Sequence, residues 1–584
     1  MKDAGIEAKP LSTQLVANLG EFDAAVRTTL NEAAESNVVK RIWDKDATVW
    51  KDDESHKKII ANSLGWLTVP RQMLQVAHEL VSFAENVRGS DERYVMVCGM
   101  GGSSLCPEVL RQTFGRQKEF PELLVLDSTD PDSIDAFAKQ IDTSRCFFII
   151  ASKSGTTTEP VAFHRFWYQE VGKKFPKPGS SFVAITDPGT LMARTATAEE
   201  FRRIFLNPPD IGGRYSALSY FGMVPAALMG LDINELLMRA NRMALMCGPD
   251  IGVVENPAAL LGVIMAECAV AGRDKLTIIT DQKLSALGLW IEQLIAESTG
   301  KEGKGIVPVI GEPLGPPSAY GDDRLFVAIS SGAGPGLGAD ESASKLKALE
   351  AAGHPVVYRN LTGLDELGAE FFLWEMATAI AGWRLRINPF DQPNVQESKD
   401  ATKALLERFA KEGKLDEPSP IANDGTLSVY SKDQDSALSV AEALRAHLAK
   451  VKPRDYIALL AYVEETPDVD AALQALRLGV RDATGCATTT GYGPRFLHST
   501  GQLHKGGPDS GVFIQITAPD KTDFSVPGAT YSFSILKQAQ AQGDLEALLA
   551  HRRRAIRVDL GEDVLVGLKR LKELLTGASE GDLD

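Results

Sequence analysis

Residues 94–110 read YVMVCGMGGSSLCPEVL, and this stretch predicts the fold of the chain. Its apolar run, residues 94–98, is typical of a buried β-strand, and the glycines at 99, 101 and 102 predict a tight turn. The amphipathic residues after the turn, with Pro107 near their start, predict an α-helix. A strand, a turn and a helix in this order begin a βαβ unit, which builds a parallel sheet.

The same alternation of strands and helices continues outward from this stretch. Apolar runs such as ELLVLD, CFFIIAS and SFVAITD alternate with helical segments, and further sets begin near residues 275 and 427. The predicted fold is α/β with two doubly wound domains that contain parallel sheets. In chain order, we expect a helical N-terminal region over 1–90, a first α/β domain over 91–250, a second over 255–415 and a C-terminal α/β extension over 416–584.

Length and composition exclude several classes of protein. A chain of 584 residues is long enough for three or more domains. Its net charge of -16 argues against a nucleic-acid partner, and no apolar run is long enough to predict a membrane span. The six cysteines form no C-x-x-C pair, which favours a reduced, cytoplasmic protein. The eight histidines show no H-x-H or H-E-x-x-H spacing, so we expect no metal centre.

The first glycine-rich turn is suited to binding an anion. It directs backbone N–H groups toward the start of a helix, and Ser103 and Ser104 add hydroxyl donors. It is not a P-loop, because no G-K-[ST] follows. Two alternatives stay open: a dinucleotide site, in which Asp127 would bind the ribose and Ser104 replaces the third glycine, and a purely structural turn.

A second donor-rich loop follows the apolar run CFFIIA at 146–151, another predicted strand. Residues 152–160 read SKSGTTTEP and combine five hydroxyls with one ammonium group before a helix. An ordinary helix cap needs a single hydroxyl, so this density favours a phosphate monoester. The expected phosphate-binding residues of the two loops are Ser103, Ser152, Lys153, Ser154 and Thr157.

These two loops resemble those of the sugar isomerase (SIS) domain, and of phosphoglucose isomerases in particular. IGGRYS at 211–216, AESTGK at 296–301 and FDQPNVQESK at 390–399 extend the resemblance over residues 90–410. DKDATVW at 44–50, the segment 492–507 and YSFSILKQAQAQGDLEAL at 531–548 resemble the isomerase half of bifunctional transaldolase–phosphoglucose isomerase proteins. No transaldolase half is recognised in this chain.

The resemblance implies an aldose–ketose isomerase without cofactors that interconverts glucose 6-phosphate and fructose 6-phosphate. The implied chemistry is proton transfer through an enediolate. Three alternatives remain: an enzyme that also accepts mannose 6-phosphate, a non-catalytic phosphosugar-binding regulator on the same fold, and a nicotinamide-dependent oxidoreductase.

The resemblance also assigns the residues of proton transfer. Glu297, at the end of a helix that Gly300 is expected to terminate, would carry the proton between C2 and C1. Arg214 would stabilise the enediolate, because its guanidinium stays charged. Gln392 would form a hydrogen bond near the moving proton. Without the motif, each of these side chains is more often a structural or solvated group.

Ring opening requires an acid, and the resemblance implies a histidine. We expect His498 to supply it, with His504 as the alternative, and Lys399 to act at the ring oxygen. In the family this histidine precedes the FDQ motif, where the present chain offers only His354. The site could therefore be completed within one chain or by the partner in a homodimer. Lys399 would lie on a helix opened by Pro393, and Gly102 and Glu159 are expected to support the site.

Overall fold

The N-terminal part of the chain contains one strand as well as helices. The computed structural model describes residues 15–332, 340–416, 418–432 and 439–577. Strand β1 (Leu15–Asn18) pairs antiparallel with a strand of the second sheet, which corrects the expectation of a purely helical region over 1–90. Leu15 and Ala17 pack against the core while Val16 is exposed, the alternation typical of an edge strand. The helices are α1 (Asp23–Glu35), α2 (Val38–Trp43), α3 (Glu54–Ala61) and α4 (Val69–Arg88).

The first sheet is entirely parallel. Its strands are β2 (Tyr94–Cys98), β3 (Glu122–Leu126), β4 (Cys146–Ala151), β5 (Phe182–Thr186) and β6 (Arg203–Leu206), in the order β3-β2-β4-β5-β6. The connecting helices are α5 (Leu105–Phe114), α6 (Pro131–Gln140), α7 (Thr158–Gly172) and α8 (Leu191–Ala198). Because β2 and β4 are neighbours whose following chains run to opposite sides, a crevice opens between their carboxyl ends.

The second sheet follows a set of buried helices. Helices α9 (Tyr220–Leu228), α10 (Ile233–Met246) and α11 (Pro257–Val270) precede β7 (Lys275–Thr280), β8 (Val307–Ile310), β9 (Arg324–Ser330) and β10 (Val356–Asn360). These strands are parallel in the order β10-β9-β7-β8, with β1 at the edge. The remaining helices are α12 (Leu287–Thr299), α13 (Asp340–Ala351), α14 (Leu367–Leu385) and α15 (Val395–Glu412).

The third sheet contains the C-terminal strands. They are β11 (Ala422–Asn423), β12 (Ser428–Tyr430), β13 (Tyr456–Tyr462), β14 (Ala487–Tyr492), β15 (Gly511–Thr517) and β16 (Arg554–Asp559). β13–β16 are parallel, and β11 and β12 add an antiparallel edge. The helices are α16 (Val440–Leu448), α17 (Pro467–Thr484), α18 (Gly501–Gly506), α19 (Phe533–Ala550) and α20 (Val564–Thr576).

The third sheet and its helices pack directly on the second. Val309 of β8 belongs to one hydrophobic cluster with Phe496 and Leu503, which lie in the segment after β14. A Cβ added to Gly543 of α19 would lie 3.0 Å from the backbone nitrogen of Thr402 in α15, so these helices are in close contact. The predicted α/β class with helix-covered parallel sheets is confirmed, while the exact domain boundaries stay predictions. In the part of the chain described, no helix combines the length and the apolar character that crossing a bilayer requires.

Candidate active site

A cavity of about 1120 Å³ opens at the carboxyl ends of β2 and β4. It lies where the loops after these strands lead into α5 and α7, the position at which open parallel sheets bind ligands. The residues that line it include every catalytic and phosphate-binding residue expected from the sequence: Ser103, Ser152, Lys153, Ser154, Thr157, Arg214, Gln392, Lys399, Glu297 and His498, together with Gly102.

The first loop reaches the cavity by a close approach of two backbones. A Cβ added to Gly102 would lie 2.0 Å from the carbonyl oxygen of Gly213, a distance that no side chain could occupy. Glycine at 102 therefore lets the loop that carries Ser103 lie against the segment that carries Arg214. Ser103 is buried and lines the cavity.

Hydroxyl groups organise the second loop. The Oγ of Ser152 accepts a hydrogen bond from the backbone N–H of Gly155 (3.1 Å) and donates to Oγ1 of Thr157 (3.3 Å). Ser154 Oγ lies 3.4 Å from the same Thr157 oxygen. Gly155 has φ +67, a left-handed conformation that favours glycine and turns the chain back toward the cavity. The loop thus presents three hydroxyls at the start of α7.

The ammonium group of Lys153 is already engaged. It forms an ion pair with Asp187 and donates to the carbonyl of Pro209 at 2.9 Å. Burial raises the pKa of the Asp187 carboxyl, and the nearby Lys153 opposes that rise. Asp187 lines the same cavity. A phosphate at this loop would therefore meet an ion pair rather than a free cation, and the expected contact to Lys153 stays a prediction.

Four hydrogen bonds fix the guanidinium of Arg214, and its fifth N–H lies beside Glu297. Its Nε donates to Ser298 Oγ at 2.7 Å, and one N–H of Nη1 donates to Gln392 Oε1 at 3.0 Å. Both N–H groups of Nη2 donate to backbone carbonyls, those of Pro389 and Asp391. A guanidinium has five N–H donors, so these contacts use four of them. The fifth belongs to Nη1, which lies 3.5 Å from Oε1 of Glu297.

Glu297 is buried near the C-terminal end of α12, which ends one residue before Gly300 as expected. Its Oε2 accepts a hydrogen bond from Nε2 of Gln293 at 3.1 Å. The same Gln293 nitrogen donates to the backbone carbonyl of His498 at 2.8 Å, so one amide links the carboxylate to the histidine segment. Sequence reasoning missed Gln293, although its spacing of four residues from Glu297 places both on one helix face.

The segment that carries Gln392 and Lys399 differs in detail from the expectation. Helix α15 begins at Val395 rather than at Pro393, and the backbone N–H of Asn394, just before the helix, donates to Oε1 of Gln502. Gln392 therefore lies before the helix, where it accepts from Arg214. Lys399 lies in the second turn and lines the cavity. Among the residues that the structure describes, its ammonium group has no hydrogen bond or ion pair.

His498 faces a buried carboxylate within its own chain. Its Nε2 lies 2.9 Å from Oε1 of Glu159, near the start of α7. Burial raises the pKa of Glu159, but the charge and hydrogen bond of His498 outweigh that effect and leave the pKa below its usual value. The ionised carboxylate can only accept, so Nε2 carries the hydrogen. Within the described ranges, Nδ1 of His498 has no hydrogen-bond partner.

The other candidate histidines lie away from the cavity. His504 is buried among Tyr456, Phe496 and Phe513, and burial lowers the pKa of its imidazole well below the usual value. His354 packs against the rings of Tyr320 and Phe326. The geometry therefore favours His498 over His504 as the acid.

Asp127 does not have a carboxylate free for a ribose. Arg495 forms a bidentate ion pair with it: Nε donates to Oδ2 at 2.9 Å and Nη2 donates to Oδ1 at 2.8 Å. This contact brings the segment that precedes His498 onto the end of β3. The dinucleotide alternative therefore has no available acid at this position.

Lys301 is a buried residue that binds the segment just before Gln392. Its buried ammonium donates to the carbonyl of Asn388 and to Oδ1 of Asp391, each at 2.8 Å. Burial, and then the charge of Arg214, lower the pKa of Lys301 to about 8. The residue belongs to the AESTGK motif, but its role could not be inferred from sequence because its partners lie about 90 residues away.

One group of carboxylates in the described chain is close enough to hold a cation: Asp130, Asp132 and Asp520. The buried ammonium of Lys537 forms ion pairs with Asp130 and Asp520, so a cation is already present between two of the three. These residues lie outside the lining of the cavity.

Comparisons with known proteins find similarity to phosphoglucose isomerases. The model of the family "Phosphoglucose isomerase" matches residues 67–307. The glucose-6-phosphate isomerase of Staphylococcus haemolyticus is 28% identical over 398 residues, which cover 61% of this chain and 89% of that protein. The glucose-6-phosphate isomerase of Rubrobacter xylanophilus is 29% identical over 394 residues, covering 59% and 89%.

Two solved structures show the same fold. A hypothetical protein from Thermus thermophilus superposes with a TM-score of 0.54 at 22% identity, covering 67% of this chain and 99% of that one. A glucose-6-phosphate isomerase from Chlamydia trachomatis superposes with a TM-score of 0.53 at 19% identity, covering 67% and 87%. The family match includes both donor-rich loops, Arg214 and Glu297. The chain is therefore similar in sequence to the phosphoglucose isomerase family over residues 67–307, and it shares the fold of these two structures.

Proposed function

We propose that this protein is a glucose-6-phosphate isomerase that moves a proton between C2 and C1 of its substrate without a metal ion. One observation carries the proposal: a buried carboxylate, Glu297, and a carboxylate-paired imidazole, His498, line one cavity with two hydroxyl-rich loops. The relatives named glucose-6-phosphate isomerase support the choice of substrate.

The proposed phosphate position is the start of α7. Ser152, Ser154 and Thr157 offer hydroxyls there, and Ser103 offers a fourth from the neighbouring loop. The positive end of α7 adds a favourable field for a dianion. A phosphate anchored here leaves the sugar carbons to extend toward Glu297 and His498.

Ring opening is assigned to His498 and Lys399. With Nε2 directed to Glu159, the imidazole has Nδ1 available to exchange a proton with the substrate. The contact with Glu159 orients the imidazole so that Nδ1 is the nitrogen that can serve as the acid. Lys399 would then stabilise the ring oxygen as it gains or loses a proton.

Proton transfer is assigned to Glu297. The fifth N–H of Arg214 lies beside Glu297 Oε1 and could also reach a developing enediolate oxygen. General base catalysis and charge stabilisation are each expected to contribute roughly 10²- to 10³-fold. The four fixed contacts of Arg214 mean that this donor needs no reorganisation when charge develops.

A coupled assay tests the proposal. The purified chain should convert fructose 6-phosphate to glucose 6-phosphate equally with and without a chelator. Glu297→Gln should keep its affinity for glucitol 6-phosphate, an acyclic phosphosugar, and lose turnover by roughly 10²-fold or more. Glu302→Gln, an exposed glutamate five residues later, is the control.

Three outcomes would contradict the proposal. Binding without turnover in the unaltered chain would favour a phosphosugar-binding regulator. Loss of activity with the chelator would indicate a metal-dependent reaction. Near-normal isomerisation by Glu297→Gln would exclude that residue as the base. Mannose 6-phosphate belongs in the same assay as a second substrate.

Cellular location and partners are part of the proposal. We place the protein in the cytoplasm, which the six unpaired, buried cysteines support. The net charge of -16 supports a small anionic ligand bound by local donors rather than a nucleic acid. A homodimer is not required to complete the site, because His498 reaches it within one chain. Analytical ultracentrifugation would measure the assembly directly.

A further inference from the structure

Helix α19 carries a row of buried polar side chains. Lys537, Gln540 and Asp544 are spaced by three and four residues, so they lie on one face of the helix, and each is less than 5% exposed. Buried polar groups are retained when each has a partner. The row lies in the segment 531–548, to which the proposed chemistry assigns no role.

The two charged members fix the position of the helix. Lys537 pairs with Asp130 at the start of α6, and Asp544 pairs with Lys505 of α18 at 2.6 Å. Helix α19 is thereby attached both to the first sheet and to the segment that follows His498. Gln540 lies between these two attachments.

Gln540 contacts the carboxylate that faces His498. Its Nε2 donates to Oε1 of Glu159 at 2.7 Å, and its Oε1 accepts from the hydroxyl of Thr129 at 2.7 Å. The opposite amide orientation would place two acceptors against each other at Glu159. The amide orientation therefore follows from both neighbours, and Glu159 Oε1 receives one donor from Gln540 and one from His498.

We propose that Gln540 is a positioning residue for His498, because it holds the Glu159 carboxylate at the place where the imidazole reaches it. The inference rests on the proposed isomerase function. Thr129 acts one step further out by orienting the amide. A carboxylate fixed by two donors keeps the hydrogen of neutral His498 on Nε2 and leaves Nδ1 available to the cavity.

The charged groups around His498 come from several elements. Glu159 of α7 contacts it directly, and Lys399 of α15 lines the same cavity. Arg495, on its own turn, is directed away to Asp127. Glu297 is connected to it through Gln293. Gln540 is the uncharged contact that determines how the nearest of these groups is oriented.

The test compares substitutions that separate hydrogen bonding from packing. Gln540→Met keeps the length of the side chain and removes the donor, and Gln538→Met is its control on the exposed face of the same helix. Thr129→Val keeps the volume without the hydroxyl, whereas Thr129→Ser keeps the hydroxyl without the methyl group. We expect kcat to fall about ten-fold in Gln540→Met and less in Thr129→Val, the loss that a single buried hydrogen bond predicts. The kcat of Thr129→Ser and of Gln538→Met should stay near the wild-type value. The affinity of the variants for glucitol 6-phosphate should also stay near wild type.

Nitrogen NMR of labelled histidine supplies a readout independent of turnover. At a pH high enough to make the imidazole neutral, the unaltered protein should show the hydrogen of His498 on Nε2, and Gln540→Met should show a mixture of tautomers. His498→Gln identifies the signal. The proposal would be overturned if the tautomers were unchanged in Gln540→Met, or if the kcat of Thr129→Ser were as low as that of Thr129→Val. If the unaltered chain fails to isomerise fructose 6-phosphate, the proposed function is wrong, while the tautomer measurement still decides the role of Gln540.

Discussion

The Nη1 atom of Arg214 lies 3.5 Å from Oε1 of Glu297, with the other four guanidinium donors bound to fixed oxygens. The two side chains come from different units of the chain, one between the first sheet and α9 and one at the end of α12. Their arrangement places the expected base and the expected stabiliser of negative charge side by side.

Replacing Arg214 by lysine tests that arrangement. A lysine keeps the charge but cannot form four contacts in a plane and still direct a donor toward Glu297. We expect kcat of Arg214→Lys to fall roughly 10²- to 10³-fold, as for removal of one charge-stabilising donor. Steady-state kinetics with fructose 6-phosphate measure this, and Arg27→Lys on the exposed surface of α1 is the control. A kcat within a factor of three of wild type would contradict the role.

The two C-terminal histidines should respond differently to the same change. His498→Gln removes the group that faces Glu159 and should abolish most turnover, whereas His504→Gln alters a residue packed among aromatic rings. We therefore expect His504→Gln to lower the melting temperature and leave kcat of the folded protein near normal. Thermal unfolding and kinetics of both variants separate these effects. The reverse pattern would assign the acid to His504.

Thr157 should contribute to binding more than to turnover. Thr157→Val removes a hydroxyl that lies beside both Ser152 and Ser154 at the proposed phosphate position. Loss of one hydrogen bond to a phosphate should raise the KM for fructose 6-phosphate about ten-fold, with kcat changed less. Thr28→Val, on an exposed face of α1, is the matched control. A KM equal to that of the control would place the phosphate elsewhere.

The contact between two glycines predicts unequal effects of the same substitution. Gly102→Ala would place a methyl group 2.0 Å from the carbonyl of Gly213, while Gly213→Ala would meet nothing within 4 Å. We expect Gly102→Ala to lose about 1–3 kcal/mol of stability, as overpacking commonly does, and Gly213→Ala to lose little. Melting temperatures of the two variants measure the difference. Equal values would show that the backbones are not in close contact.

The buried carboxyl of Glu292 should make the stability of the protein depend on pH. Burial raises the pKa of its carboxyl from 4.5 to about 7, against the opposing charges of Arg477 and Arg495. Between these values the folded state binds more protons than the unfolded state, so the contribution of Glu292 to stability falls as pH rises from 4.5 to 7. The full loss is about 3 kcal/mol by linkage.

Glu292→Gln removes this contribution. The variant and wild type should have similar melting temperatures near pH 4.5, and the variant should be the more stable above pH 7. Thermal unfolding at several pH values measures the difference between the two proteins, from which groups common to both cancel. Glu21→Gln, an exposed glutamate, should show no such trend. A difference that does not vary with pH would mean that Glu292 titrates normally.

The elements of the fold could be predicted because their signals are local. Buried runs such as Cys146–Ala151 alternate with amphipathic helices, and parallel strands bring their carboxyl ends to one edge. The two donor-rich loops follow neighbouring strands, so their meeting at one cavity was also predictable. Strand β1 was missed because four residues carry too little periodicity to be separated from the loop around them.

The resemblance of motifs predicted the chemical residues, and the cavity contains all of them. It did not predict their partners. Asp187 occupies the ammonium of Lys153, Gln293 links Glu297 to the His498 backbone, and Gln540 holds Glu159. Apart from Gln293, these partners are distant in sequence, and nothing in a local pattern shows which distant side chain will lie beside another.

Residue order and local pattern were therefore enough for the α/β class, for the glycines at the first turn and for the end of the helix that carries Glu297, because backbone sterics and periodic burial act over a few residues. Folding alone brought His498 into the cavity of its own chain, placed the fifth donor of Arg214 beside Glu297 and placed Gln540 against Glu159. Those contacts join parts of the chain separated by 83 residues, for Arg214 and Glu297, to 381 residues, for Glu159 and Gln540. Their distances depend on how three sheets pack together, which no short stretch of sequence contains.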